Sequence, residues 1–160
     1  KDSMKDAFPN VVNNNELKEV DSNYLYIVNA IKDNPYSANY NTALKGGFTI
    51  SYHYDKSDQY LLYKQGQKVV DTIGRCSLGL PYKNLGYIGA DFDNTFVFVQ
   101  SFGRGNPHIV QLYDKATARN LIKEWSAFID VDTASQTLLY SEKDVPSPTD
   151  KMTFFDIKRN

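Results

Sequence analysis

Cysteine is nearly absent from this sequence: Cys76 is the single one among 160 residues. One thiol forms no internal disulfide and cannot by itself build a cysteine-based metal site. A basic excess is also missing, since 18 Lys and Arg are set against 19 Asp and Glu, giving a net charge of −1. This balance leaves no excess of positive charge to attract nucleic acid or an anionic membrane surface. No apolar run approaches the roughly 20 residues that a helix needs to span a bilayer.

Recognisable catalytic sets are equally scarce. Histidine occurs twice, as His53 and His108, and neither belongs to a known nucleophile or zinc-binding motif. Cys76 lies in the stretch IGRCSLG, which matches no protease signature, and we interpret it as a small, partly buried residue. The sequence therefore leans towards a protein without enzymatic activity, and it predicts no cofactor.

Aromatic residues are abundant, with 12 Tyr and 9 Phe. They favour strands, because a pleated surface packs flat rings well. The length and the ordinary share of hydrophobic residues, 41%, predict one globular domain over residues 15–160 after a loose segment, 1–14. The many Asn, Asp, Lys and Tyr residues, with almost no Cys, favour a periplasmic or extracellular location.

A helix is predicted over residues 15–33, near the start of the chain. Its apolar residues recur at helical spacing and form one stripe. Asn34-Pro35 then ends the pattern. The members of the stripe are Leu17, Val20, Tyr24, Ile27, Val28 and Ile31.

From residue 48 to the end of the chain the hydrophobic period changes towards two, which predicts antiparallel strands joined by hairpins. The expected fold is thus mainly β, of the α+β kind: a meander or sandwich of hairpins with the N-terminal helix against one face. The stretch 116–128 fits either a strand or a helix. Trp125, the single tryptophan, is predicted to pack in the core with Phe128. The predicted strands read FTISYHY, QYLLYK, KVVDTI, YIGAD, TFVFVQ, HIVQLYD, NLIKEW, SAFIDVD, TLLYSE and MTFFDIK.

The second half of the chain contains a repeat. Three pairs of matching residues are each 42 positions apart: Thr95 and Thr137, Tyr113 and Phe155, Asp114 and Asp156. A third, shorter copy begins near Asp55. The period lies in the range of propeller blades, and each copy resembles a blade in its acidic turn, hairpin and outgoing strand. Three copies are too few to close a ring of about four to eight blades, so stacked hairpins in a meandering sheet are favoured.

Two acidic turns precede strands of this repeat. Asp91 and Asp93 form the first, and Asp130 and Asp132 form the second. Their carboxylates are weak candidates for calcium ligands, because neither turn has the glycine and the final glutamate of an EF-hand loop. Asp side chains commonly bond nearby backbone amides in turns, so we interpret these residues as turn formers and predict no metal site.

The glycine-rich loop SFGRGNPH carries the candidate partner-binding residues Phe102, Arg104 and His108. It joins two predicted strands, so it is not a phosphate loop, and Arg and aromatic residues dominate binding hot spots. The predicted function is a non-enzymatic binding protein of the cell envelope or extracellular space that engages a protein partner through its loops, as an inhibitor or immunity protein. The alternatives are a hydrolase-type enzyme with a carboxylate and histidine pocket, and a structural module of a larger β-repeat protein. The sequence leaves the oligomeric state open.

Overall fold

The computed structural model describes residues 41–55, 57–77, 80, 84–101, 107–143 and 145–159. The predicted loose segment 1–14 and the predicted helix 15–33 lie outside these residues. The chain divides into two compact units at Leu85 and Gly86, and each unit is described by itself. The interpretation of residues 15–160 as one domain stays a prediction.

The first unit contains an antiparallel sheet of four strands in chain order, β1-β2-β3-β4. The predicted face of the second strand is confirmed at the positions described, since Phe48, Ile50 and Tyr52 are buried. The predicted hairpin around Gly66 joins the third and fourth strands, with Gln65 opposite Lys68. The strands are β1 (Asn41–Leu44), β2 (Phe48–Tyr54), β3 (Asp58–Gln65) and β4 (Lys68–Ser77).

The sequence predicts strands only from residue 48 onward, but the first strand, β1, lies before this position at Asn41–Leu44. Leu44 pairs with Phe48 across the turn Lys45-Gly46-Gly47. Gly46 and Gly47 have φ values of 80° and 77°, a region that side chains disfavour. Two adjacent glycines before an alternating strand are a hairpin signal, which agrees with the turn observed here.

The second unit contains a six-stranded antiparallel meander in chain order. The predicted hairpin of TFVFVQ with HIVQLYD is confirmed as β6–β7, and that of TLLYSE with MTFFDIK as β9–β10. The stretch SAFIDVD is a strand, but NLIKEW before it forms only a single bridge, at Asn120, and is neither strand nor helix. The strands are β5 (Tyr87–Asp91), β6 (Thr95–Gln100), β7 (Ile109–Asp114), β8 (Ser126–Asp132), β9 (Thr137–Ser141) and β10 (Met152–Asp156). A short 3-10 helix, Ile157–Arg159, follows.

The 42-residue repeat corresponds to two groups of three strands: β5–β7, the first triplet, and β8–β10, the second triplet. Thr95 pairs with Asp114 in the first triplet, and Thr137 pairs with Asp156 in the second. The backbone bonds that close the triplets repeat as well. The amide of Lys115 donates to the carbonyl of Asn94 at 2.8 Å, and 42 positions later Ile157 donates to Gln136 at 2.9 Å.

The first strand of each triplet also carries a bulge at the same place. Gly89 is the extra residue in β5, and Ile129, 40 positions later, is the extra residue in β8. The offset is two residues smaller here because the β8–β9 turn is longer than the β5–β6 turn. The proposed third copy corresponds to β3–β4, a hairpin of the first sheet with two register shifts of its own.

Equivalent residues of the two triplets face opposite sides of the second sheet. We call the side that carries the main apolar cluster the core face. Val97 and Leu112 pair on the core face, whereas their equivalents, Leu139 and Phe154, pair on the opposite face. The reason is geometric. Equivalent strands are three positions apart in an antiparallel sheet, so they run in opposite directions. A triplet that is reversed in direction but keeps the same strand order must be turned over, and its side chains then exchange faces. The cluster contains Ala90, Phe92, Val97, Val99, Val110, Leu112, Ile122, Leu138, Tyr140 and Ile157.

Candidate protein-binding surface

The predicted binding loop follows β6, and of its three candidate residues only His108 lies among those described. Phe102 and Arg104 fall outside them. His108 is half-buried, its Nδ1 lies 3.3 Å from the hydroxyl of Tyr87, and its carbonyl accepts a bond of 2.7 Å from the amide of Phe128. His108 therefore fixes the end of the loop to β5 and β8, beside the bulge residue Ile129.

Carboxylates of both acidic turns bind a side chain or backbone amides of the same chain. Asp91 forms an ion pair of 2.7 Å with Lys115, whose side chain is buried. The pKa of Asp132 is lowered first by a side-chain hydrogen bond from Ser135 and then by the amides of Ala134 and Ser135, which donate to its carboxylate. The described residues contain no cluster of three or more His, Cys, Asp or Glu able to hold a metal ion.

Lys115 is a buried cation at a position that is apolar in the second triplet. Its Nζ donates to the carbonyl of Phe92 in addition to its pairing with Asp91. The equivalent residues of the second triplet are Ile157 for Lys115 and Val131 for Asp91, and both pack in or against the apolar cluster. One triplet thus closes its turn with an ion pair, and the other closes it with apolar contacts.

Cys76 lies in β4, where burial and then the nearby carboxylate of Asp58 raise the pKa of its thiol to about 11. A thiol with this pKa is almost fully protonated at neutral pH, so it is a poor nucleophile. This supports the interpretation of Cys76 as a packing residue.

His53 lies in β2 of the first sheet and contacts a serine. Its Nε2 is 2.9 Å from the hydroxyl of Ser51 and 3.4 Å from the ammonium of Lys64. Burial and the charge of Lys64 lower the pKa of His53, which favours the neutral form of the ring. The spacing suits a base beside a nucleophile, but the side chain of Ser51 is buried, so this pair is better explained as part of the packing of the sheet.

Large exposed apolar side chains are concentrated on and around the second triplet. Seven such residues are found in the part of the chain that the structure describes, and five lie between positions 125 and 154. We call these five the exposed apolar surface. Because isolated exposed apolar residues are common but groups of them mark interaction sites, this is the best candidate for a binding surface. Its residues are Trp125, Ile129, Val145, Met152 and Phe154.

The strand register explains why three of these residues belong together. Met152 and Phe154 alternate along β10 on the face opposite the core, and Phe154 is 73% exposed. Phe154 pairs with Leu139, which pairs in turn with Asp130 next to the bulge residue Ile129. The bulge leaves Ile129 on this same face, because it directly follows Phe128, which packs against the core.

Trp125 was predicted to lie in the core, and this was wrong: its side chain is 61% exposed. Its φ of 61° is uncommon for a residue with a side chain, and such strain is concentrated at functional sites. The turn is held on both sides, since Ile122 is buried in the cluster and the hydroxyl of Ser126 donates to the carbonyl of Lys123 at 2.8 Å. The chain therefore fixes Trp125 in an outward position.

Trp125 and Val145 extend the exposed apolar surface at one end of the second triplet. Ala127 pairs with Ser141, and Ser141 pairs with Met152. The residue that precedes β8 and the loop that follows β9 therefore lie at the same end of these strands.

This surface did not follow from the sequence, because the apolar residues of MTFFD resemble those of a buried strand. No helix among the described residues is long and apolar enough to cross a membrane. Comparisons with protein-family models, with curated proteins and with solved structures found no match.

Proposed function

We propose that this chain is a non-enzymatic binding protein of the cell envelope or extracellular space, which holds a protein partner against the exposed apolar surface. The observation that carries this proposal is the outward Trp125, which a strained turn holds directly before β8, two strands from the exposed strand β10. Trp is enriched among the residues that dominate binding energy. A rigid aromatic anchor also loses little conformational freedom on binding.

The loop of residues 102–108 adds polar contacts to this surface in our proposal. Its end is fixed beside Ile129 through the bond between His108 and Phe128. By sequence this loop carries Arg104 and Phe102, and Arg and aromatic residues dominate binding hot spots, so we include them among the partner-binding residues. An inhibitor or immunity protein is the specific form of this function that we propose.

Affinity capture with matched variants tests the proposal. The protein is immobilised and exposed to native extract, and retained partners are quantified for the unaltered chain, Trp125→Ala, Phe154→Ser and the control Val69→Ser. Val69 is 47% exposed in the first sheet, so its variant changes a comparable apolar residue that is not part of the proposed surface. We expect capture to fall about tenfold or more for the two surface variants and to stay unchanged for the control. Equal capture by all four proteins would refute the proposal.

A structural module of a larger β-repeat assembly is the second candidate function. It is favoured by the terminal strand β10, which pairs with β9 on one side and with no other strand that the structure describes. An edge of this kind presents backbone donors and acceptors that another strand can use.

A further inference from the structure

The junction between the two triplets shows how this chain joins one repeat to the next. Ile109 pairs with Ala127, and Val110 pairs with Ser126, so the last strand of the first triplet binds the first strand of the second. The amide of Phe128 extends the ladder by donating to the carbonyl of His108. The junction is short, but its register is defined.

The outer edge of β10 is equivalent to the edge of β7 that forms this junction. The backbone of Leu112 points towards the second triplet, since its carbonyl accepts from the amide of Leu121 at 2.7 Å and its amide donates to the side chain of Asn120 at 3.0 Å. β10 pairs with β9 in the register that relates β7 to β6. Met152 and Phe154 therefore direct their backbone groups outward, along the edge.

The side chains on β10 are apolar, as expected for a strand that has a further strand beside it in the sheet. Val110 and Leu112 are fully buried, in one cluster with residues of the second triplet, whereas their equivalents Met152 and Phe154 are 43% and 73% exposed. The apolar character is the same in both strands, but the two strands differ in two respects: Val110 and Leu112 lie on the core face and have a following triplet beside them, whereas Met152 and Phe154 lie on the opposite face at the edge of the sheet.

We propose that the edge of β10 binds strand β5 of a second copy of this chain, head to tail. β5 is the equivalent of β8, including its bulge, and it is the other terminal strand of the second sheet in the described part of the chain. The junction register then places Lys151 opposite Tyr87 of the second copy and Met152 opposite Gly86. This inference rests on the proposed function, because it names the partner of the same surface.

Each copy contributes an even number of strands to the second sheet, so the faces of two joined copies agree. Met152 and Phe154 would lie on the same side as Ile88 of the second copy, which is half-buried and is the equivalent of Phe128. A head-to-tail contact uses two different edges, so further copies can add until the assembly closes into a ring or continues as an open filament. The extent of association should therefore rise with protein concentration.

Disulfide trapping tests the register directly. Two proteins are prepared in a Cys76→Ser background, one with Lys151→Cys and the other with Tyr87→Cys, and circular dichroism confirms that both are folded. Residues directly opposite each other across strands have Cβ atoms about 5 Å apart, close enough for a disulfide after a small adjustment. We expect a mixed disulfide when the two proteins are combined under mild oxidation. A dimer that forms instead within the Lys151→Cys protein alone, or no disulfide at all, would overturn the proposal.

Sedimentation of the unaltered chain supplies a second measurement that needs no cysteine. We expect the mean mass to rise with concentration, Phe154→Lys to weaken this association about tenfold or more, and Val69→Lys to leave it unchanged, because lysine on an edge strand opposes pairing. A chain that stays monomeric up to about millimolar concentration would overturn the inference. If it stays monomeric while Phe154→Ser still reduces partner capture, the proposed function stands and the self-association falls. If neither measurement responds, both fall.

Discussion

Leu112 and Phe154 occupy the same position in the two triplets, and truncation of each to alanine tests whether the triplets face opposite ways. Leu112 is fully buried, so Leu112→Ala should lower the free energy of unfolding by about 2–5 kcal/mol. A fully buried Phe would lose about 3–5 kcal/mol, but only about a quarter of the surface of Phe154 is covered. We therefore expect a loss of about 1 kcal/mol for Phe154→Ala.

Urea unfolding at low micromolar concentration, followed by tryptophan fluorescence, measures both losses. Trp125 is the single tryptophan and lies in the second unit, so the signal reports the sheet that carries both substitutions. The slope of free energy against urea should stay constant while the midpoint shifts. Val110→Ala and Met152→Ala form a second matched pair with the same expected order. A loss for Phe154→Ala as large as that for Leu112→Ala would refute the alternation of faces.

Four further outcomes are expected. Lys115→Ile should lower the free energy of unfolding by about 3 kcal/mol, because it removes the cation that pairs with the partly buried Asp91. The double variant Lys115→Ile with Asp91→Val should recover most of this loss in urea unfolding. A double variant as unstable as the single one would contradict the expectation. The rate of Cys76 alkylation should rise with pH towards a midpoint near 11, and a midpoint near 8.5 would show that burial does not suppress the thiolate. Because the pKa of His53 is lowered on folding, the unfolded chain takes up the proton first as the pH falls through 6.5, and the folded protein loses stability below this pH. His53→Gln should reduce this loss, measured by melting curves between pH 7.5 and 5.5, by at most about 1.4 kcal/mol per pH unit. An unchanged dependence of stability on pH would exclude His53 as its cause. Millimolar calcium should leave the melting midpoint unchanged, and a rise of several degrees would show that the acidic turns bind the ion.

Local sequence signals were sufficient for the hairpins of the second half. The alternation in TFVFVQ and HIVQLYD describes two half-buried strands, and the intervening glycines and proline describe their loop, so β6 and β7 followed directly. The position of Trp125 did not follow, because Leu121, Ile122 and Trp125 fit a strand and a helix equally well. Only the bridge at Asn120 and the start of β8 at Ser126 show that the chain leaves the sheet between them.

The repeat was predictable as an offset but not as an arrangement in space. Thr95 and Thr137, or Asp114 and Asp156, match because turns and strand ends impose the same local chemistry in both triplets. Whether Leu112 is buried and its equivalent exposed depends on how many strands separate them, which is a property of the whole sheet. The candidate surface was for the same reason hidden from the sequence, since its main strand resembles a buried one.

The odd number of strands in each triplet also sets a rule for anyone who wishes to lengthen this protein by design. A third triplet copied from β8–β10 would present its apolar and polar positions on the wrong sides, because the pattern returns only after six strands. The template for an added triplet is the first one, β5–β7, placed after Asp156 with the turn and bulge spacing that it already has. The true unit of duplication in this sheet is therefore the pair of triplets, although the sequence repeats at half that interval.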